Sequence, residues 1–239
     1  MKAHERHQLK ENDFVKTAAA VTRAVRENRN TVALGLVAVI VVGGAVGGWM
    51  FWRTHRANEA GALLGVAMAT AQAPITPAPS LPGAKQTPGT FPTEQARAEA
   101  TIKLLTQAAD TYPNTDEGIA ARYQLGSELL SVGRVDEAQA AFEKVAASGS
   151  SLYAQLARLG QAEAFMAAGK TDDAIKIYTE LAAARDSALP VDGLLMELAR
   201  ASQKAGKAQD ARAAFKRVVD EFPDSTYAAD ARQQLAALN

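Results

Sequence analysis

The chain has no cysteine among its 239 residues, which removes disulfide staples, thiolate metal sites and cysteine nucleophiles together. Histidine is almost as scarce. The three present are His4, His7 and His55; the first two stand three residues apart and would need further ligands to hold a metal. No nucleophile with its base, no metal cluster and no glycine loop of phosphate-binding spacing is visible. Catalytic residues, metal ligands and a cofactor site are therefore not expected, and the chain does not read as an enzyme. Aromatic residues are few, at 6%, and β-branched residues are sparse outside one segment, which leaves little material for sheets.

A charge surplus is also missing, because 26 Lys and Arg face 26 Asp and Glu. The balance hides an asymmetry: residues 1–30 hold seven of the basic and four of the acidic side chains, so the remainder is mildly acidic. An acidic body argues against nucleic acid as a partner. What is abundant is alanine, and the expectation is an all-α fold.

Residues 31–52, TVALGLVAVIVVGGAVGGWMFW, contain no charged side chain. Twenty-two residues at helical rise give about 33 Å, enough for a hydrocarbon core of about 30 Å. Trp49 and Trp52 end the run, where indole rings favour the headgroup layer, and Arg53 and Arg56 follow. About thirty residues precede the run and bulky aromatics close it, so it reads as an uncleaved anchor; the Ala71, Gln72, Ala73 triplet is too far downstream for a signal-peptide cleavage site. Lys16, Arg23, Arg26 and Arg29 precede the span and only Arg53 and Arg56 follow it, which places the N-terminus in the cytoplasm and the bulk outside. Inside the span, Gly43 with Gly47 and Gly44 with Gly48 form two overlapping GxxxG patterns. They would admit a partner helix at close range, or reflect the ordinary frequency of glycine in membrane helices.

Within the expected cytoplasmic stub, residues 1–30, Phe14, Ala18, Val21 and Val25 fall on one helical face, with Lys16, Arg23 and Arg26 elsewhere. A short basic amphipathic helix follows, serving as a retention signal or lying on anionic lipid or a partner. Beyond the span, residues 53–73 continue as a juxtamembrane helix with Leu63, Leu64 and Met68. Pro74, Pro77, Pro79, Pro82, Pro88 and Pro92 then break the pattern, and 74–92 reads as an extended linker or insertion.

From residue 93 onward the sequence compares with itself. Gly133-Arg-Val-Asp-Glu-Ala138 matches Gly169-Lys-Thr-Asp-Asp-Ala174 and Gly206-Lys-Ala-Gln-Asp-Ala211. Phe142, Tyr178 and Phe215 follow at one offset, Val145, Leu181 and Val218 three residues later, and the small residues Gly126, Ala162 and Ala199 precede each glycine by seven. A left-handed glycine ends one helix, acidic residues begin the next, and small residues let the pair approach. Tyr112-Pro-Asn-Thr115 echoes Phe222-Pro-Asp-Ser225, each introducing a helix. The helix 93–111 is thus the second half of an earlier repeat whose first half is 58–72, and the helix 226–238 caps the stack.

This arrangement resembles the tetratricopeptide repeat (TPR), whose small, small, aromatic and proline positions are met by Ala199, Ala211, Phe215 and Pro223. The first two copies lack the proline, and their longer periods place longer turns near 148–151 and 185–190. The resemblance implies an α-solenoid over 93–239 with a groove for other proteins. Its inner positions fall on Tyr123, Ser127 and Leu130, on Leu159, Glu163 and Met166, and on Met196, Arg200 and Gln203; the alternative is that several of these pack between repeats. The paired acids Asp136 and Glu137, and Asp172 and Asp173, recur at helix starts and read as structural.

The layout of stub, single span and extracytoplasmic repeats further resembles the YfgM-like ancillary subunit of the SecYEG translocon, a family implying partners at the translocation channel, periplasmic chaperones or client polypeptides at a bacterial inner membrane. The stretch 222–231 also resembles the repeat proteins that coordinate Tol-Pal with cell division. Those two readings, a client-holding adaptor and a structural element of an envelope assembly, stand side by side at this point.

Overall fold

The computed structural model describes residues 29–77, 85–149 and 151–238; the expected stub helix, His4 and His7 lie outside them. The described residues form α1 (Arg29–Ala71), α2 (Glu94–Thr111), α3 (Asp116–Ser131), α4 (Val135–Ala146), α5 (Ser151–Ala167), α6 (Thr171–Ala183), α7 (Val191–Lys204), α8 (Ala208–Glu221) and α9 (Ala228–Ala237). Outside the helices, one parallel bridge pairs Ile75 with Phe91. The architecture is the expected all-α helical-repeat solenoid, preceded by an apolar helix. The chain divides into two compact units, Met1–His55 and Arg56–Asn239.

In the first unit the large apolar side chains of α1 have nothing to pack on: Leu34, Ile40 and Phe51 remain 71%, 70% and 75% exposed. Positions 43, 44, 47 and 48 have open space where a Cβ would sit. The Arg53 guanidinium lies 5.6 Å from the centroid of the Trp49 ring. By length and composition α1 is sufficient to cross a bilayer. It runs through both 31–52 and 53–71 without a break.

The second unit begins with the end of α1. Ala60 and Ala67 are fully buried, and Leu63 and Leu64 pack on the cluster containing Ile102, Leu105 and Leu129. Arg56 donates to the Thr111 carbonyl at 2.6 Å and Arg97 to the Ala73 carbonyl at 3.3 Å, so α2 runs antiparallel to this end of α1. Together they make a first helix pair.

The proline tract, expected as an extended linker or insertion, is described at its two ends. Its described ends lie side by side: Thr76 donates to the Phe91 carbonyl at 2.8 Å and Phe91 to that of Pro74 at 3.0 Å. The Gln86 amide clips Thr76 and Thr90 at 2.8 Å each. Proline forbids helix here but leaves extended neighbours with free backbone groups, and those groups pair with one another.

Within the repeats the local chemistry is regular. Gly133, Gly169 and Gly206 sit at φ 78°, 74° and 72°. Beside them the next residue's N–H reaches back five residues: Arg134 to Leu129, Lys170 to Phe165 and Lys207 to Ser202, at 2.8 to 2.9 Å. This is a Schellman cap repeated three times. Thr93 and Thr115 cap the starts of α2 and α3, their hydroxyls accepting from Ala96 at 3.1 Å and Gly118 at 3.0 Å. Phe142, Tyr178 and Phe215 are at most 1% exposed. Phe142 lies so close between α3 and α5 that a Cβ on Gly126 or Gly160 would fall 2.7 or 2.5 Å from its ring, which explains why both positions lack one.

The two longer turns appear where the sequence placed them, between α4 and α5 and between α6 and α7. The second is tied down by Gln155, which accepts from Ala188 at 2.8 Å, and by buried Leu189. Ion pairs repeat with the fold as well: Arg134 to Glu99 at 3.4 Å and Lys207 to Asp172 at 2.7 Å are the same contact two repeats apart.

Candidate protein-binding face

The first helices of successive pairs, α3, α5, α7 and then α9, contribute adjacent strips to one face. The link between α3 and α5 is aromatic: the Tyr123 and Tyr153 rings are 6.2 Å apart, and Tyr123 lies 5.8 Å from Phe142. Between α5 and α7, Lys204 donates to the Met166 carbonyl at 3.3 Å. Between α7 and α9 the contact is polar. Arg200 bonds Glu197 at 2.9 Å and Asp230 at 3.0 Å, and Gln203 donates to Gln234 at 3.4 Å.

The nine positions named from the sequence divide by depth. Glu163 and Arg200 are exposed, while Tyr123, Ser127, Leu130, Leu159, Met166 and Gln203 are half-buried. Met196 is 0% exposed and packs with Leu195, Ala199, Phe215 and Val218, so it is a core residue and not a groove residue. Its repeat counterparts Tyr123 and Leu159 also pack, into the first core and between the second and third. Repeat register identifies equivalent positions but not their depth, because depth depends on which helix stacks next. Gly43, Gly44, Gly47 and Gly48 belong to the first unit.

Tyr123 on α3, Glu163 on α5 and Tyr178 on α6 each have a raised pKa, with burial as the first cause. Tyr178 belongs to α6 and is buried. Its ring is buried with Ala162, Ala174 and Ala201, and burial, then the charges of Glu197 and Glu163, push its hydroxyl well above the ordinary phenol range. Burial, followed by the charge of Glu163, likewise raises Tyr123. The Glu163 side chain stays open to solvent on one flank, yet its carboxyl is crowded enough by neighbours that desolvation, then Glu197, raises its pKa.

Sequence reasoning missed Tyr153, Glu197, Asp230 and Gln234 as members of this face. Tyr153 and Glu197 fall outside the triplet of repeat positions that marks the groove, and Asp230 and Gln234 lie on the helix expected only to cap the stack. Tyr178 was visible only as a core aromatic.

Of the grooves elsewhere among the described residues, two correspond: one of about 240 Å³ between α2, α3 and α4 and one of about 220 Å³ between α6, α7 and α8. They are copies, with Ile102, Thr106, Glu137 and Lys144 matched 73 residues on by Ile175, Thr179, Asp210 and Arg217. A feature that recurs with the repeat reflects helix packing. Among the described residues no group of three or more His, Asp or Glu side chains is placed to hold a metal ion.

Comparison with known proteins agrees with this geometry. Residues 165–235 match the family described as Tetratricopeptide repeat. No curated protein matches the chain. Two solved structures are similar: the nearly identical TPR-like repeats of a candidate kinesin light chain from Podosopora anserina, and a single-substitution variant of it. Both have TM-score 0.53 and 19% identity over 61% of this chain, covering 79% of the parent's and 78% of the variant's length. Repeats of this kind generally serve as scaffolds for binding other proteins. The chain therefore folds as a tetratricopeptide-type solenoid, with a sequence match to that family over its last repeats.

Proposed function

We propose that the protein is a membrane-anchored adaptor at a bacterial inner membrane, with a cytoplasmic N-terminus and an extracytoplasmic solenoid that holds polypeptides along the face formed by α3, α5 and α7. The observation that carries the anchor is the row of large apolar side chains on α1 left without any protein to cover them, a surface that water does not tolerate and lipid does. The observation that carries the binding role is the half-exposed mixture of Tyr123, Leu159 and Met166 beside polar groups, suited to gripping segments of varied sequence.

The resemblance to the YfgM-like translocon subunits makes the protein-translocation channel, its chaperones and its clients the partners of choice. A photo-crosslinking residue at Met166 in cells should capture nascent or newly exported chains, and purification in mild detergent should recover translocon components. Leu159→Glu with Met166→Glu should abolish the crosslinks while the protein remains in the membrane fraction after alkaline extraction. Recovery of envelope-division or Tol-Pal components alone, with no client crosslinks, would establish the structural reading in its place.

A further inference from the structure

One cavity stands apart from the two recurring grooves. It encloses about 360 Å³ beside the turn from α2 to α3 and the end of α4, space for on the order of ten waters. Its lining includes two cations, Arg122 and Lys144, and no carboxylate. Asn114 and Ser148 add an amide and a hydroxyl, and Pro113 and Ile119 an apolar wall.

The two cations are held differently. The Arg122 side chain is 12% exposed and fixed, donating to the Ala109 carbonyl at 2.7 Å and to Asp110 at 3.1 Å; the Asp110 side chain is 61% exposed and does not line the cavity. Lys144 has no ion pair, and the side chains of Asn114 and Ser148 no hydrogen bond, among the described residues. Lys144 also borders the groove of about 240 Å³, where Asp110 and Glu137 stand, and its place in the last turn of α4 suits the helix dipole. The dipole, however, accounts for neither Arg122 nor Asn114 beside it. A phosphate meets the whole set, its charge at the guanidinium and ammonium and its further oxygens at the amide and hydroxyl.

Chain length selects the source of that phosphate. Pro113 follows Tyr112, whose hydroxyl donates to Glu59 at 3.0 Å and whose ring centroid lies 5.2 Å from the Arg56 guanidinium. Glu59 is seven residues past Trp52, the last residue of the uncharged run, and seven residues of chain span at most about 25 Å. However the two units are arranged, this turn is tethered close to the lipid surface at which the span ends. The chain beyond residue 30 is mildly acidic, so attraction to an anionic surface has to be local.

We propose that the cavity lined by Asn114, Arg122, Lys144 and Ser148 binds the phosphate of an anionic phospholipid headgroup. This rests on the membrane-anchored reading above and adds a lipid to the partners of the solenoid.

The test uses the full chain in nanodiscs of phosphatidylcholine alone, or of phosphatidylcholine and phosphatidylglycerol in equal parts, read by amide hydrogen exchange. Phosphatidylglycerol should slow exchange across 113–122 and 144–149 about threefold or more, leave α8 unchanged and lose its effect in high salt. Lys144→Gln with Asn114→Ala should erase the slowing with circular dichroism unchanged, since both side chains are exposed; Arg122 is kept because it holds the end of α2.

Slowing that survives the two substitutions would overturn the site in favour of diffuse surface attraction. Slowing by millimolar inorganic phosphate in phosphatidylcholine discs, with none from phosphatidylglycerol, would overturn it in favour of a soluble ligand. Equal exchange in both discs with 31–52 protected would overturn the headgroup site and leave the anchor standing, whereas unprotected amides in 31–52 would overturn both.

Discussion

The two ends of the inner face are built from equivalent repeat positions and have opposite characters. Toward α3 and α5 the groups are aromatic and incompletely served: Tyr123 and Tyr153 touch ring to ring, and Glu163 stands without a cation. Toward α7 and α9 the face closes on itself, because Arg200, the repeat counterpart of Glu163, is held by Glu197 and Asp230, while Gln203 meets Gln234. One end has contacts left to give and the other has spent them on a capping helix. The difference shows how a repeat protein divides labour: a terminal repeat must satisfy its outer neighbour, and an internal one is free to present its side chains.

The largest way to break this comparison is at the position where depth diverges. Met196→Ala removes a fully buried side chain and should cost about 2–5 kcal/mol of stability, read as an earlier midpoint in urea. Tyr123→Ala, at the half-buried counterpart, should cost less and should weaken peptide binding instead.

A smaller effect is expected at Arg200. Its two ion pairs have side chains between 40% and 48% exposed, so Arg200→Ala should lower stability by less than about 1 kcal/mol. It should, however, leave Glu197 and Asp230 uncompensated and loosen the contact between α7 and α9, seen as faster amide exchange in α9.

The smallest effect concerns Glu163 itself. Desolvation and Glu197 raise its carboxyl above the ordinary value of 4.5, so the folded state holds that proton more tightly than the unfolded chain does. Stability contributed by this group is then present below the ordinary value and is lost as pH rises through the raised one. Glu163→Gln should therefore raise the melting temperature slightly at neutral pH, with the gain fading as pH falls below 4.5. A constant gain at all pH values would show that the carboxyl is not under this strain.

Much of the fold was legible because its causes are local. The glycines at 133, 169 and 206 each terminate a helix through their positive φ, and Phe142, Tyr178 and Phe215 mark the buried stripe of each second helix. The pairing of the end of α1 with α2 was legible as well, since Leu63, Leu64 and Met68 keep helical spacing beyond the apolar run. The candidate face was harder to read. Ser127, Glu163 and Arg200 are one position by register, yet the half-buried first bonds the Tyr123 carbonyl within its own helix at 3.4 Å, the second has no ion pair among the described residues, and the third is held by Glu197 on its own helix and Asp230 on α9. The pairing of Thr76 with Phe91 was not legible, because proline content argues against helix and is silent on whether the flanking extended residues meet.

Composition and periodicity alone determined the class of structure, the repeat boundaries, the apolar helix and the lack of reactive cysteine, because each follows from residues near in sequence. The depth of Met196, the pairing of Thr76 with Phe91 and the burial of Tyr178 among Ala162, Ala174 and Ala201 were decided only by the tertiary structure. They depend on how one helix pair rotates against the next, a quantity set by the side chains of both pairs at once.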